Sequence, residues 1–383
     1  MTNKKANIAF KYRITPNKEQ KGLFSKTFGC CRKVWNLMKA DRDSAYQKNK
    51  ETIHPTPAQY KKEFPFLKEV DSLALANVQL NQNRAYNEFF KSCKNKTRHR
   101  GFPKFKSAKK SKRSYSTNNQ GGTIYVGDGF IRLPKVGNVK AIIHRMPEPD
   151  WKLKSATISQ QSDGSYYCSV LYEYDNEVKS VALDKDNAIG LDYKSDGLYV
   201  GSNGNKPPLH KYYRQSQKKL AKLQRRLSHK VGFRKGEAKS NNYLKQQMKV
   251  NKLHCHIANQ RKDYLHKKST EIANQYDIVC VENLNMKAMS NKGFGNGKAT
   301  MDNGYGMFLN MLEYKLENRG KRLIKVDKYF PSSQTCYACG EVHSEMKDLS
   351  KRYFHCKCGY DNDRDINAAL NIKREGLRML GLL

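Results

Sequence analysis

Residues 329–372 read YFPSSQTCYACGEVHSEMKDLSKRYFHCKCGYDNDRDINAALNI. Two cysteine pairs stand in this stretch, Cys336/Cys339 and Cys356/Cys358, and each is followed at once by a glycine, Gly340 and Gly359. Sixteen residues separate the pairs. Two short knuckles at this separation suit one tetrahedral zinc, because a tight turn aims two sulfurs at one point and a glycine relieves the turn. The second pair is C-x-C, so His355 is an alternative to Cys356 as the ligand from that knuckle. Directly behind it comes Asp363-Arg364-Asp365-Ile366-Asn367-Ala368-Ala369, a polar, carboxylate-bearing opening to a helix. A structural zinc fixes where such a helix begins, and with it the position of its carboxylate.

Upstream of the knuckles, apolar strands alternate with helical patterns, which predicts an α/β domain. AIGLDYKSDGLYV reads as a hairpin whose first strand ends at Asp192. Residues 210–275 carry two apolar stripes around a basic turn, a helical hairpin. QYDIVCVENLN is a buried strand ending at Glu282, and RLIKVDKYF is the last strand before the first knuckle. Between these two strands lie a Gly/Asn/Lys-rich segment, 290–306, read as a mobile loop, and a helix through Phe308, Leu312 and Leu316. Asp192, Glu282 and Asp365 thus occupy comparable places: two close buried strands, the third heads a helix. Singly, such acids are turn or capping residues. Together, beside a zinc ribbon in a basic chain, three converging carboxylates would hold magnesium, with water and substrate phosphate completing its shell. No P-loop, dinucleotide fingerprint or nucleophile elbow occurs. His144, His254 and His256 have no sequence partners that single them out as ligands.

The amino-terminal half reads differently. Residues 5–14 alternate like a strand, and Thr15-Pro16 looks like a helix cap and first-turn proline. Helical spacing then runs to about Lys48 and resumes from Leu73 to Phe90. A helix-turn-helix is conceivable there, although no stretch marks a recognition helix. In KSCKNKTRHRGFPKFKSAKKSKR, residues 91–113, twelve of twenty-three positions are Lys, Arg or His, with Phe102 and Phe105 between them. Cations for phosphates beside aromatics for bases mark a nucleic-acid contact segment. Residues 121–175 are short alternating strands broken by Gly and Pro turns, a β-barrel or sandwich that the strand at 5–14 completes.

With 73 Lys+Arg against 35 Asp+Glu the chain carries +38, an excess that calls for a polyanion. No apolar run nears the roughly 20 residues needed to span a bilayer, and the amino-terminal stretch has no signal-peptide core. Six cysteines outside the knuckles (Cys30, Cys31, Cys93, Cys168, Cys255, Cys280) are scattered, which reads as a reducing compartment without a disulfide framework.

On YRITPNKEQKGLFSKTFGCCRKVWN, GFPKFKS, GLDYKSDGLYV, VENLNMKAM, and KYFPSSQTCYACG through DRDINAALNI, the chain resembles the TnpB family of transposon-encoded nucleases, relatives of the type V CRISPR effectors. The resemblance runs nearly end to end. It implies an α/β and β multidomain architecture: a β-barrel wedge domain (1–14 and 115–183), a helical recognition insertion with the basic segment (15–114), an RNase H-like (RuvC) nuclease domain (184–330 and 360–383) and a zinc-ribbon insertion (331–359). It further implies catalytic roles and magnesium binding for Asp192, Glu282 and Asp365, with zinc on Cys336, Cys339, Cys356 and Cys358. The partners implied are a guide RNA transcribed from the transposon end and double-stranded target DNA with an adjacent motif, met by a cytoplasmic, nucleoid-associated monomer. Two features depart from the family pattern: Tyr193-Lys194 follows the first Asp, where the family often has a small residue, and the second knuckle is C-x-C. All three acids remain, which favours cleavage of target DNA over two alternatives, a non-catalytic nucleic-acid-binding regulator and a guide-free RNase H-like transposase.

Overall fold

In the computed structural model, residues 4–95, 101–176, 181–234, 236–291, 297–348 and 350–383 are described, and the chain divides into two compact units, 1–177 and 178–383.

The first unit is organised on its opening strand. β1 (Lys4–Thr15) leads into α1 (Lys18–Asn49) and α2 (Ser72–Lys94). Strands β2 (Arg113–Asn118), β3 (Tyr125–Gly127), β4 (Phe130–Leu133), β5 (Gly137–Ile142), β6 (Lys152–Gln160) and β7 (Tyr166–Asn176) follow. They form one sheet in the order β2-β6-β7-β1-β5-β4-β3. β1 is central, pairing antiparallel with β7 from Lys4 to Ile14 and with β5 from Arg13 to Thr15. Its even-numbered side chains Phe10, Tyr12 and Ile14 are buried and its odd ones exposed, the alternation of a sheet covered on one face. The cover is helical. Phe24, Phe28, Cys31, Val34, Trp35 and Met38 of α1 and Leu75 and Val78 of α2 share one apolar cluster with the strands. The helices therefore interrupt the β segment in sequence but fold onto its sheet instead of forming a core of their own.

Three expectations are corrected here. The sheet is an open half-barrel: β2 and β3 end it and, among the described residues, do not pair with each other to close a barrel or form a second layer. The cap of α1 is Asn17, not Thr15. Its side chain accepts from Gln20 N at 2.8 Å while Gln20 Oε1 accepts from Asn17 N at 3.1 Å, a reciprocal box; Thr15 is spent in the ladder opposite Lys140. Finally, the helix-turn-helix alternative for the helical pair fails, because residues 50–71 and not a short turn separate α1 from α2, and 4–49 is one strand and one long helix.

In the second unit β8 (Ala188–Tyr193) turns back through β9 (Tyr199–Gly201), followed by α3 (Tyr212–Ser228), α4 (Asn241–Gln275), β10 (Ile278–Glu282), α5 (Met286–Met289), α6 (Gly297–Asn303), α7 (Tyr305–Glu317) and β11 (Arg322–Val326). The knuckle region holds the two-stranded β12 (Tyr353–His355) and β13 (Asp361–Asp363), and α8 (Arg364–Met379) ends the chain. The main sheet runs β11-β10-β8-β9, with β8, β10 and β11 parallel. Parallel strands are buried on both faces, and the period of two sorts their side chains. Ile189, Leu191, Val279 and Val281 join Phe308, Leu312 and Leu316 of α7 and Leu265 and Ile272 of α4. Ala188, Ile278 and Cys280 join Ile372 and Leu377 of α8.

Helix α8 lies very close to this second face. A Cβ on Gly190 would overlap the Ala369 carbonyl oxygen and sit 2.8 Å from Lys373 N, and one on Gly376 would overlap Cys280 Sγ. Both obstacles to the first are backbone, so neither can swing aside. Gly190→Ala is expected to cost about 3 kcal/mol through overpacking, read as a lower unfolding midpoint in denaturant; an unchanged midpoint would mean that α8 is free to shift. The segment read as a mobile loop is in part ordered helix: Thr300, Asp302 and Asn303 of α6 are buried, while 292–296 lie outside the described residues.

Candidate active site and metal centre

The side-chain alternation that sends Ala188 and Gly190 toward α8 also sends Asp192 there, and Ile278 and Cys280 likewise carry Glu282. Leu191 and Val281 are paired across the parallel ladder, so the two acids leave the sheet at the same level. α8 begins at that edge. Its cap is Asp363, whose carboxylate accepts from Asp365 N at 2.9 Å and Ile366 N at 3.2 Å. Lys206 holds Asp363 at 2.7 Å; burial pushes that carboxyl up, but Lys206 and the helix N–H groups bring it below its ordinary value. Asp365 thus stands in the first turn, directed back at the strand ends.

The three acids sense one another. Burial, then the Glu282 and Asp365 carboxylates, hold the Asp192 carboxyl well above the usual carboxylate range, against the opposing Arg364 guanidinium. Burial also raises Glu282, which the Ser332 hydroxyl opposes by donating to Oε1 at 2.7 Å. Asp365 is paired with Lys194, Nζ to Oδ2 at 2.9 Å. As a set, the three do not lie within 4.8 Å of one another, unlike the knuckle sulfurs described next. Their chemistry is nonetheless that of a hard divalent cation: like-charged oxygen donors at a sheet edge, partly desolvated, whose repulsion a cation relieves.

At the knuckles, all four cysteine sulfurs lie within 4.8 Å of one another. Cys336 and Cys358 are 3.7 Å apart and Cys339 and Cys356 3.6 Å. Tetrahedral zinc with bonds of about 2.3 Å separates its sulfurs by about 3.75 Å, so the donor set fits that ion. Gly340 and Gly359 have φ of 81° and 88°, the left-handed turn anticipated at both knuckles. The open choice between His355 and Cys356 resolves to Cys356: His355 is exposed, with Nδ1 2.7 Å from Asp361 Oδ1. His355→Ala is expected to retain one zinc per chain by atomic emission, whereas Cys356→Ala loses most of it. His343, which the sequence reading passed over, is buried with Nε2 3.3 Å from Cys356 Sγ and Nδ1 3.0 Å from Glu345. It backs the knuckle from behind.

The two centres are joined. Asn367 and Asn371, both fully buried on α8, donate to Thr335 O at 2.8 and 2.6 Å, and Asn371 donates also to Ser332 O at 2.9 Å. Tyr337 N donates to Asn367 Oδ1 at 3.1 Å. Arg364, buried, reaches Asp348 O at 2.8 Å and Lys351 O at 3.2 Å. The knuckle and the helix bearing Asp365 are one hydrogen-bonded piece, and Ser332 extends it to Glu282.

Of the six other cysteines, Cys31, Cys168 and Cys280 are buried with thiols pushed up to about 12 by burial, inert core residues, and Cys93 is exposed. In the first unit, residues 101–107 are pinned along α1. Trp35 Nε1 donates to Lys104 O at 3.0 Å, and Asn36 exchanges hydrogen bonds with Lys106 at 2.8 and 2.9 Å. Phe102 and Phe105 remain exposed, with the Lys39 ammonium 4.8 and 4.9 Å from their rings. Cations and aromatics are thus displayed together on an ordered strip, although residues 96–100 of the basic segment lie outside the described residues. No helix among the described residues is long and apolar enough to cross a membrane.

Family profiles match three stretches: a "Helix-turn-helix domain" at 1–51, a "Probable transposase" at 169–293 and a "Cas12f1-like, TNB domain" at 305–372. The last covers most of the knuckle piece. A Streptomyces pristinaespiralis protein named "Putative RNA-guided DNA endonuclease" is 32% identical over 96% of this chain and 89% of its own length. The chain belongs to the TnpB family. InsQ of Escherichia coli K12, named in the same way, is 30% identical over 97% of this chain and 93% of its own length. Among solved structures, the fold is similar to that in the "Cas12f1-sgRNA-target DNA complex", with a TM-score of 0.54 at 15% identity over 96% of this chain and 99% of that one. The helix-turn-helix of the first profile's description is not what this TnpB chain builds in 4–49.

Two partners of the acids lie far from them in sequence. Ser332 lies 50 residues from Glu282 in sequence and Lys194 171 from Asp365, so only the fold brings them together. Asp363 was visible as a polar residue before a helix, and the cap preference could have singled it out.

Proposed function

We propose that this chain is a transposon-encoded, RNA-guided DNA endonuclease whose reaction centre is Asp192, Glu282 and Asp365. The observation that carries the reading is the level placement of Asp192 and Glu282 on adjacent parallel strands, beneath the first turn of the helix bearing Asp365. The family relatives named as RNA-guided DNA endonucleases support the guided substrate. Sequence is then read by guide–target pairing, while the protein recognises duplex shape and a short adjacent motif.

Asp192, Glu282 and Asp365 would hold magnesium, which when bound supplies the Lewis acidity that activates a water and stabilises the leaving 3′ oxygen in an in-line displacement. The chain's own contribution is placement. Asp363 fixes the backbone of Asp365, Ser332 orients Glu282, and the knuckle, with zinc on its four cysteines, keeps the start of α8 in register with the strands. The excess positive charge and the strip at 101–107 serve the nucleic-acid backbone and its bases. The half-barrel unit with its helices corresponds to the wedge and recognition elements, and the second unit to the RuvC nuclease with its ribbon.

The test is to purify the protein from cells carrying the element's flanking DNA, sequence the RNA that comes with it, and assay magnesium-dependent cutting of duplexes matching that RNA. One discrete RNA from the element's end and 5′-phosphate products are expected. Heterogeneous RNA with strand-transfer products on transposon-end DNA would mark a guide-free transposase, and guided binding without cutting a regulator.

A further inference from the structure

Among the described residues, Lys194 is the only cation within ion-pair distance of any of the three acids, at 2.9 Å from Asp365. Both side chains are largely withdrawn from solvent, 28% and 20% exposed. The ammonium is not there by the chance sweep of a long side chain. Lys194 lies in the turn between β8 and β9, and the amide of Asn303, 1% exposed, donates to Lys194 O at 2.9 Å and also to Gly197 O. Asn303 itself is held in a buried stretch: its neighbour Asp302 accepts from Arg261 at 2.9 Å and from Tyr213 N at 3.1 Å. A packed scaffold therefore delivers one positive charge, two residues after Asp192, to the carboxylate on α8.

We propose that Lys194 is the resident counter-cation of the acid cluster, a positioning residue that competes with divalent metal for Asp365 and thereby sets the affinity of the centre. This rests on the reading of the cluster as a metal site. Three carboxylates crowded at a sheet edge need compensation, and a lysine gives it without metal. The ammonium holds Oδ2 of Asp365, so a divalent ion taking that oxygen must displace it, and one taking the other oxygen meets its charge at close range; either way the observed affinity is the intrinsic one less the cost of that cation. The failure of the three carboxylates to gather within 4.8 Å as a set accords with an Asp365 engaged elsewhere. A released ammonium, still tethered by Asn303 beside the centre, is free to meet a substrate phosphate.

The experiment uses the full-length chain with its RNA and titrates Fe²⁺ under ascorbate and peroxide, where bound iron cuts the polypeptide next to its own site. The reading is the Fe²⁺ concentration at half-maximal scission near residues 192 and 282. Lys194→Gln should lower it roughly fivefold, the scale of a partly screened ion pair. Lys194→Arg should restore the wild-type value, and Lys325→Gln, which removes a charge paired to Glu313 and away from the acids, should leave it unchanged. Wild-type or weaker affinity in Lys194→Gln would overturn the proposal, as would an equal gain in Lys325→Gln. Equal scission in wild type and Asp192→Asn would instead sink the metal-site reading, and the role of Lys194 with it.

Discussion

Asp192→Asn is expected to abolish target-DNA cutting, by at least about a thousandfold, because it removes a charged ligand from the centre where transition-state charge is compensated. The RNA that purifies with the protein should be unchanged, since the substitution is nearly isosteric. The same variant should also be more stable than the wild type in EDTA. Burial and two neighbouring carboxylates raise the Asp192 pKa in the fold. A carboxyl with a raised folded pKa binds more protons folded than unfolded, so folding stability falls as pH rises from about 4 toward the folded value. Above that value the full repulsion is present, and the amide removes it. A gain of about 2–4 °C in the melting temperature of the unit at 178–383, at pH 8 without metal, corresponds to about 1 kcal/mol in a unit of that size. Magnesium should raise the melting temperature of the wild type more than that of the variant. Equal stability in EDTA would mean that the acids are too well solvated to strain the fold, and retained cutting would remove Asp192 from the reaction.

The second large effect is at the knuckle. Cys339→Ser, or removal of zinc by a strong chelator, should cut nuclease activity by at least about a hundredfold although no cysteine touches the acids. Zinc binding in such motifs carries on the order of 10 kcal/mol of folding free energy. Without it, the backbone of Ser332 and Thr335 has no fixed place, and with it go the anchors of Asn367 and Asn371 and the hydroxyl that orients Glu282. The measurement is zinc release followed with a chromophoric chelator beside cleavage by the same sample. Full activity in zinc-free protein would show that α8 holds its register by packing at Gly190 and Gly376 alone.

Much of this was legible in the residues. Asp192 and Glu282 stood out because each closes an apolar run and Asp365 because it opens a helix, and the four cysteines because two knuckles with following glycines have little other use. The burial of the second unit's strands followed from unbroken apolar runs. What eluded the sequence has physical reasons too. Whether the first sheet closes depends on pairing between β2 and β3, and alternation reports a buried face but not which edges meet. His355 and Cys356 are adjacent, and only the fold shows that the first turns to Asp361 and the second to the other sulfurs. Asn17 won over Thr15 as the helix cap because β1 continued one residue further than its apolar pattern. Lys194 was visible as an oddity beside Asp192, but its partner lay at the far end of the chain.

The pairing of β1 has a consequence for how the protein is made. β1 leaves the ribosome well before the strand it lies against along nearly its whole length, β7, which is about 150 residues later. At 5–20 residues per second, that is a wait on the order of ten seconds or more. During it, α1 can form, but Phe10, Tyr12 and Ile14 have half a core and two open edges. A nascent chain of this design carries an apolar-faced strand with unpaired edges, and arrest of synthesis before residue 166 is expected to yield a product that aggregates instead of one that is merely short.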